Sequence, residues 1–283
     1  MNMAAPQLSL ITTCKGRLHH LQESLPRMLA QPDCECIVVD YDCPDGTADW
    51  VAAHHPQVRL VQADPAPLFK LGHARNLGAA VATAPWLAFI DADTLLAASY
   101  AEEIVPQLLA GRYYRPVPRQ DDLWGCVVCH KSDFDTIGGY DELMCGWGGE
   151  DDDLYQRLAF LGCKAADYPG ALLSSIAHDS SARVRFSDIE DRWVNQRTHA
   201  LYCRIKHDLM RQAGQFVLPI EIRQGVYEEV RRTVVADAAQ GVTSSQITVQ
   251  LPAESGIPLW GWTIRRSWVF TLEKLPNATP SPP

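Results

Sequence analysis

The first ninety residues of this chain constrain its fold more than any other feature. Short apolar runs alternate there with segments whose apolar residues recur at helical spacing, and two of the runs stop at an aspartate. Leu8 to Ile11 is the first run, and Leu18, Leu21, Leu25, Met28 and Leu29 follow with helix periodicity. Cys36 to Val39 is the second and ends at Asp40, with the turn cluster Asp42-Cys43-Pro44-Asp45-Gly46 just beyond. Val58 to Val61 is the third, Gly72 to Ala82 is helix-like, and Trp86 to Ile90 runs into Asp91. Continuous apolar strands need cover on both faces, so the alternation predicts an α/β fold with a mostly parallel central sheet flanked by helices. In such open sheets ligands sit outside the carboxyl ends of the strands. Asp40 and Asp91 both occupy such ends, which puts two carboxylates at one edge. Pro26 lies inside the first helical pattern and is expected to kink or shorten it.

Past Asp93 the pattern loosens. Gly111 to Gln120 reads as a loop and Leu123 to Val128 as a further strand. Glu150 to Leu161 is predicted helical, with Leu154, Leu158 and Leu161 on one face, acids in the first turn and Gly162 at the end. Residues 184 to 212 read as a polar helical stretch, and no pattern is assignable beyond Gly214. The expected division is a core over residues 1–183 and a partly helical α/β extension over 184–283, serving an acceptor site or oligomerisation.

Charge narrows the function. Lys and Arg number 25 and Asp and Glu 34, and 25 − 34 leaves a net charge of −9. Non-specific nucleic-acid binding needs clustered cations to displace counterions from phosphates, so no nucleic-acid partner is expected. The longest apolar stretch, Leu77 to Ile90, is short for a membrane span and carries Thr83 and Pro85. The first residues lack a basic region followed by an apolar one, and the nine cysteines are scattered, several inside apolar runs as buried thiols are. The expected location is therefore cytoplasmic. Cys126-Val127-Val128-Cys129-His130 matches a haem-attachment spacing but reads better as a buried strand, with Cys126 and Val128 on one face and Val127 and Cys129 on the other. Leu259-Trp260-Gly261-Trp262 and Arg265 to Phe270 set aromatics beside cations. That suits peripheral contact with the inner face of a membrane, though two strands packing on the core explain the same residues more simply.

Two motifs carry chemistry. In Asp91-Ala92-Asp93, carboxylates one residue apart can present oxygens to one hard divalent cation, which in turn neutralises a diphosphate. The second is Gly146-Trp147-Gly148-Gly149-Glu150-Asp151-Asp152-Asp153. One or two acids at a helix N-terminus follow from the helix dipole, but a run of four repels itself. A nearby cation, or a substrate hydroxyl that needs a base, accounts for the excess. Trp147 offers a flat apolar face to a sugar ring.

Together and in this order, these stretches resemble the nucleotide-diphospho-sugar glycosyltransferases of the GT-A fold. The first half is similar to glycosyltransferase family 2 in Thr12-Thr13-Cys14, Val38-Val39-Asp40 with Asp45-Gly46-Thr47, Ala74-Arg75-Asn76-Leu77-Gly78 and Asp91-Ala92-Asp93. The second half, Ile137-Gly138-Gly139-Tyr140-Asp141-Glu142 through Gly146 to Asp153, is similar to β-1,4-galactosyltransferases and chondroitin-polymerase-type enzymes. The resemblance spans about residues 8 to 180. It implies a UDP-sugar donor site formed by Thr12, Asp40, Arg75, Asp91 and Asp93, with Asp40 on the uracil or ribose. It implies Mn2+ or Mg2+ held by Asp93, Asp91 and His178, and Asp151 as the base that deprotonates the acceptor hydroxyl. Trp147, Glu150 and Asp152 would meet the acceptor. Tyr41 stands where family 2 has a second aspartate, which loosens the nucleobase assignment.

The expected activity is metal-dependent transfer of galactose or GalNAc from a UDP-sugar, with inversion. A retaining transferase is the alternative, because polypeptide GalNAc-transferases share the Trp-Gly-Gly-Glu stretch; there Asn commonly follows the Glu, where this chain has Asp151. A non-catalytic glycan- or sugar-nucleotide-binding module is the other, and it would not need both acidic clusters. The acceptor, whether glycan, lipid-linked, peptide or small molecule, is not encoded in any motif. The whole expectation requires the Asp91–Asp93 and Asp151 neighbourhoods to meet across one cleft.

Overall fold

The computed structural model describes residues 5–118, 123–177, 185–241, 244–250 and 267–273. The alternating half consists of β1 (Leu8–Cys14), α1 (Leu18–Leu29), β2 (Cys34–Asp40), α2 (Thr47–His54), β3 (Arg59–Gln62), α3 (Leu71–Val81) and β4 (Trp86–Phe89). Then follow β5 (Thr94–Leu96), α4 (Tyr100–Ile104), β6 (Arg112–Val117), β7 (Val127–His130), α5 (Lys131–Thr136), α6 (Glu150–Leu161), β8 (Lys164–Pro169) and β9 (Leu173–Ser175). Seven strands form the main sheet in the order β3-β2-β1-β4-β7-β6-β8. β1 pairs in parallel with both β2 and β4, so the chain winds outward in both directions from β1. Only β7 runs against its neighbours, with Phe89 opposite Val127 and Tyr113 opposite Cys129. The mostly parallel, helix-flanked sheet expected from the apolar runs is the observed architecture. A second, antiparallel pair joins β5 to β9.

Strand alternation divides the core between the two faces of the sheet. Leu8, Leu10, Cys36, Val38, Ala88 and Val128 pack on one face with Leu21, Leu25 and Met28 of α1. Ile11, Ile37, Val39, Leu87, Phe89 and Cys129 pack on the other with Ala74 of α3 and Leu154 and Leu158 of α6. The predicted alternation of Cys126 and Val128 against Val127 and Cys129 is the one seen. α1 continues through Pro26 to Leu29. The lost N–H removes one bond in the last turn, while Leu25 and Met28 stay fully buried and hold that turn down.

Two local expectations need correction. Arg112 to Val117 is a strand of the main sheet, not a loop. Its two arginines and Pro116 look loop-like, but Tyr113 and Tyr114 are strand formers and are buried between β7 and β8. Pro116 is tolerated because β7 pairs only with the two tyrosines. The strand predicted from Leu123 starts at Val127. Leu123 instead opens a tight turn closed by Cys126 N–H to its carbonyl (3.1 Å), and both side chains are buried there.

The chain divides into two compact units between Glu190 and Asp191. The second contains α7 (Arg192–Ala213), α8 (Ile220–Gln240) and the antiparallel pair β10 (Ser244–Gln250) and β11 (Ser267–Glu273). Asp191 caps α7 by accepting the N–H groups of Trp193 (2.8 Å) and Val194 (3.2 Å). That is why the predicted helical stretch begins at 192 and not at 184. Leu259 to Arg266 lie outside the described residues. Among the described residues no helix is long and apolar enough to cross a membrane.

α3 approaches β1 and β2 at Gly78, where an added Cβ would lie 2.4 Å from Ile11 Cγ2 and 3.1 Å from Val39 Cγ2. Both partners are fully buried and have nowhere to retreat. Overpacking costs about 1–3 kcal/mol, more than the roughly 1 kcal/mol that Ala gains over Gly in a helix. Gly78→Ala should therefore lower the unfolding free energy by about 1 kcal/mol and Gly78→Val by about 3 kcal/mol, read from urea midpoints at constant m-value.

Candidate active site

The carboxyl edge of the sheet is organised by backbone bonds. Just after β4, Ile90 N–H bonds to Ile11 O (2.9 Å), and Thr94 N–H turns back to Asp91 O (2.9 Å). Ser24 Oγ of α1 donates to Ala92 O (2.7 Å), and Ile176 N–H donates to Asp93 O (2.8 Å). The tripeptide Asp91-Ala92-Asp93 is thus fixed from both sides.

Arg75 of α3 joins the two acidic neighbourhoods. Its guanidinium, 2% exposed, donates to Asp91 Oδ1 (2.8 Å) and to Asp151 Oδ1 (2.5 Å). It also reaches Tyr140 Oη (3.2 Å) and lies 5.0 Å from the centre of that ring. The second oxygens of both carboxylates converge beside Gly125: a Cβ there would stand 2.6 Å from Arg75 Nη2, 3.1 Å from Asp91 Oδ2 and 3.2 Å from Asp151 Oδ2. Asp91 and Asp151 therefore meet at one guanidinium, whereas Asp93, the acid the expectation also places there, pairs with Arg17. Asn76 ties the same helix to the loop before α6, accepting Tyr140 N–H (2.8 Å) and donating to Tyr140 O (2.9 Å). Gly139 permits this approach, since a Cβ there would meet Asn76 Oδ1 at 2.6 Å.

The first turn of α6 distributes its acids. Gly146, Gly148 and Gly149 all have φ between 90° and 96°, a region side chains avoid, and they deliver the chain to Glu150. Asp153 is fully buried and ion-paired with Arg157 (2.7 Å), which also donates to the carbonyls of Ile137 and Gly139. Asp152 is exposed and accepts the indole N–H of Trp124 (3.2 Å). Glu150 and Asp151 are buried on the Arg75 side. Burial, and then Asp151, push the Glu150 carboxyl up to about 8, with Arg75 opposing. Burial also raises Asp151, again against Arg75. Trp147 is partly buried just ahead of the helix.

The remaining expected site residues are placed differently. Asp93, 5% exposed, forms an ion pair with Arg17 of the β1–α1 loop. Both oxygens of Asp40 accept backbone N–H groups, Cys43 at 2.7 Å and Ala48 at 2.7 Å, so this carboxylate builds the β2–α2 turn. Thr12 is fully buried inside β1, its hydroxyl without a partner among the described residues. His178 lies outside the described residues. Arg17, Gly125 and Trp124 were not singled out from the sequence, and Tyr140 stood only as a member of the Ile137–Glu142 motif with no role assigned. The basic Lys15 and Arg17 at a strand end facing Asp93 were a signal for the first. Nothing local marks Gly125 or Trp124, because their partners are distant in the chain.

Chemically the cleft offers a buried carboxylate held by a fixed cation, a protonatable neighbour, and a second carboxylate pair on the adjoining strand end. Among the described residues no three potential ligands cluster as a complete metal site. Asp91, with a side chain 29% exposed, is the more open of the two acids after β4, and each of them is ion-paired with its own arginine.

Two families match this chain. One is described as glycosyl transferase family 2 and matches residues 9–125. The other, described as the N-terminal domain of galactosyltransferase, matches residues 109–179. Beta-1,4-galactosyltransferase 5 of Danio rerio is 34% identical over 77 residues, covering 26% of this chain and 20% of that protein. Validoxylamine A glucosyltransferase of Streptomyces hygroscopicus subsp. jinggangensis is 24% identical over 216 residues, covering 54% of this chain and 51% of that one. The matches span no more than about half the length of these curated relatives. Among solved structures, mannosyltransferase PcManGT from Pyrobaculum calidifontis, in complex with GDP-Man and Mn2+, shares the fold. Its TM-score is 0.54 at 16% identity, over 84% of this chain and 76% of that chain.

The raised Glu150 carboxyl has a thermodynamic consequence. Between about pH 4.5 and about 8 the folded chain holds a proton that the unfolded chain has released, so stability falls as pH rises through that window. Glu150→Gln should flatten this decline in thermal melts and leave the variant more stable than the wild type at pH 8. A variant that melts with the wild-type pH slope would show that Glu150 titrates normally.

Proposed function

We propose that this chain, which matches glycosyl transferase family 2 over residues 9–125 and a galactosyltransferase domain over residues 109–179, transfers a hexosyl group from a UDP-sugar to an acceptor hydroxyl with inversion. The observation that carries this is the Arg75 guanidinium gripping Asp91 and Asp151 in one cleft. Asp151 is the base. Burial raises its proton affinity towards that of a useful acceptor of the hydroxyl proton, while Arg75 keeps it oriented and charged. Glu150 retains its own proton at neutral pH, so the adjacent pair carries one negative charge instead of two. Asp152, held outward by Trp124, and the partly buried Trp147 flank the approach for an acceptor sugar.

On the donor side, Asp91 and Asp93 would hold Mn2+ or Mg2+, with His178 as the further ligand implied by the resemblance. Such an ion, when bound, neutralises the charge that develops on a departing diphosphate. Arg17 already balances Asp93 in the same place. Asp40 shapes the β2–α2 turn against which a nucleoside would lie. The galactosyltransferase relative and the Trp-Gly-Gly-Glu-Asp stretch favour galactose or GalNAc as the sugar. The glucosyl- and mannosyl-named matches make UDP-glucose and GDP-mannose the donors to test beside them.

Nucleotide release from each donor, with Mn2+ and a panel of sugar acceptors, tests the proposal. Asp151→Asn should lower turnover by about 10²- to 10⁴-fold while nucleotide-sugar affinity, measured by calorimetry, stays within about threefold. Full turnover in Asp151→Asn would remove it as the base. Proton NMR of the product's anomeric centre should show inversion, and retained configuration would favour the retaining alternative.

A further inference from the structure

Cys14 and Cys43 form a sulfur pair that the transfer chemistry does not use. Cys14 closes β1 and is fully buried, whereas Cys43 sits in the turn after β2 and is only partly buried. Their Sγ atoms are 3.9 Å apart. Gly16 N–H points at Cys43 Sγ (3.1 Å), and the Thr47 hydroxyl donates to Cys14 Sγ (3.2 Å). Backbone bonds hold both ends: Tyr41 N–H donates to Cys14 O (3.0 Å), and Cys43 N–H donates to Asp40 Oδ1 (2.7 Å). Two thiols placed this close, one accessible and one enclosed, divide into an attacking sulfur and a resolving sulfur.

We propose that Cys43 and Cys14 are a hydroperoxide-reactive dithiol that closes to a reversible disulfide. The Cys43 thiolate attacks the distal oxygen of the hydroperoxide. The O–O bond breaks, the alkoxide or hydroxide leaves and takes up a proton, and Cys43 becomes a sulfenic acid. The Cys14 sulfur then attacks Cys43 Sγ as its thiol proton passes to the departing oxygen, and water is released. Overall two thiols and one hydroperoxide give one disulfide, one alcohol or water, and one further water. The Cys14 thiol and the Gly16 N–H together stabilise negative charge on Cys43, whose thiol is lowered to about 5, first through its hydrogen bond with Cys14. Burial pushes Cys34 and Cys36 up to about 12, where little thiolate exists to attack a peroxide, and the hydrogen bond with Cys43 raises Cys14, which therefore keeps its proton until the resolving step. Closing the bond draws the sulfurs from 3.9 Å to about 2 Å, and so pulls the turn that Asp40 anchors towards the loop that carries Arg17.

The full reduced chain, given one equivalent of hydrogen peroxide, alkylated, digested and examined by mass spectrometry, tests this directly. A peptide linking Cys14 to Cys43 should dominate, with two of the nine thiols lost and both restored by dithiothreitol. Cys43→Ser should abolish the link and slow peroxide consumption about tenfold or more, whereas Cys14→Ser should leave a Cys43 sulfenic acid that dimedone traps. Mapping in the wild-type chain does not depend on either variant folding. Oxidation scattered over other cysteines with no Cys14–Cys43 link would overturn the proposal, as would undiminished peroxide consumption by a folded Cys43→Ser chain.

Discussion

The architecture of the cleft depends on one buried guanidinium. Arg75 has almost no contact with solvent, and a charge removed from water must find its compensation in the protein. It finds it in Asp91, which follows β4, and in Asp151, in the first turn of α6. Asp151 is nearly as enclosed as the arginine, and without the two carboxylates the arginine would be a buried charge with no compensation. The pairing therefore fixes the relative positions of a strand end, a helix face and a helix start. Those are the parts that the two matching families contribute separately.

The acids ahead of α6 show how a sequence excess resolves into distinct tasks. Four carboxylates in one helical turn would repel one another if all were charged and all faced one way. Helical geometry turns Asp153 inward to Arg157 and Asp152 outward to Trp124, and leaves Glu150 and Asp151 towards Arg75. Burial, and the charge of Asp151 beside it, raise the Glu150 carboxyl and so favour a single charge on that pair. What looks like redundancy in the sequence is one structural anchor, one surface contact and one buried pair beside Arg75.

The positions of Asp40, Asp91 and the start of α6 were legible because they terminate or begin strongly patterned segments. Apolar runs mark strands, and strands present their carboxyl ends to ligands. β6 was hidden by its arginines and Pro116, since local composition pointed to a loop while sheet pairing decided otherwise. The partners of each acid were illegible for a different reason. Arg75 and Asp151 lie 76 residues apart, as do Arg17 and Asp93, and nothing local specifies which cation will neutralise which anion. Asp40 was readable as a residue at the right edge, but not as one whose oxygens are taken up by backbone donors. α8 escaped because its buried stripe is thin, consisting of little beyond Val226, Val230 and Val234.

The reversed direction of β7 gives the cleft an asymmetric construction. Its parallel neighbours bring their exits to the working edge, but a strand running the other way brings its entrance, and so Gly125 arrives beside the residues that leave β4. Two adjacent strands thus supply both a departing and an incoming stretch of chain to the same wall. A side chain added at Gly125 on the incoming stretch would press on Arg75 and on Asp91 of the outgoing one. The two stretches are therefore one packed unit, and neither can be rebuilt without moving the other.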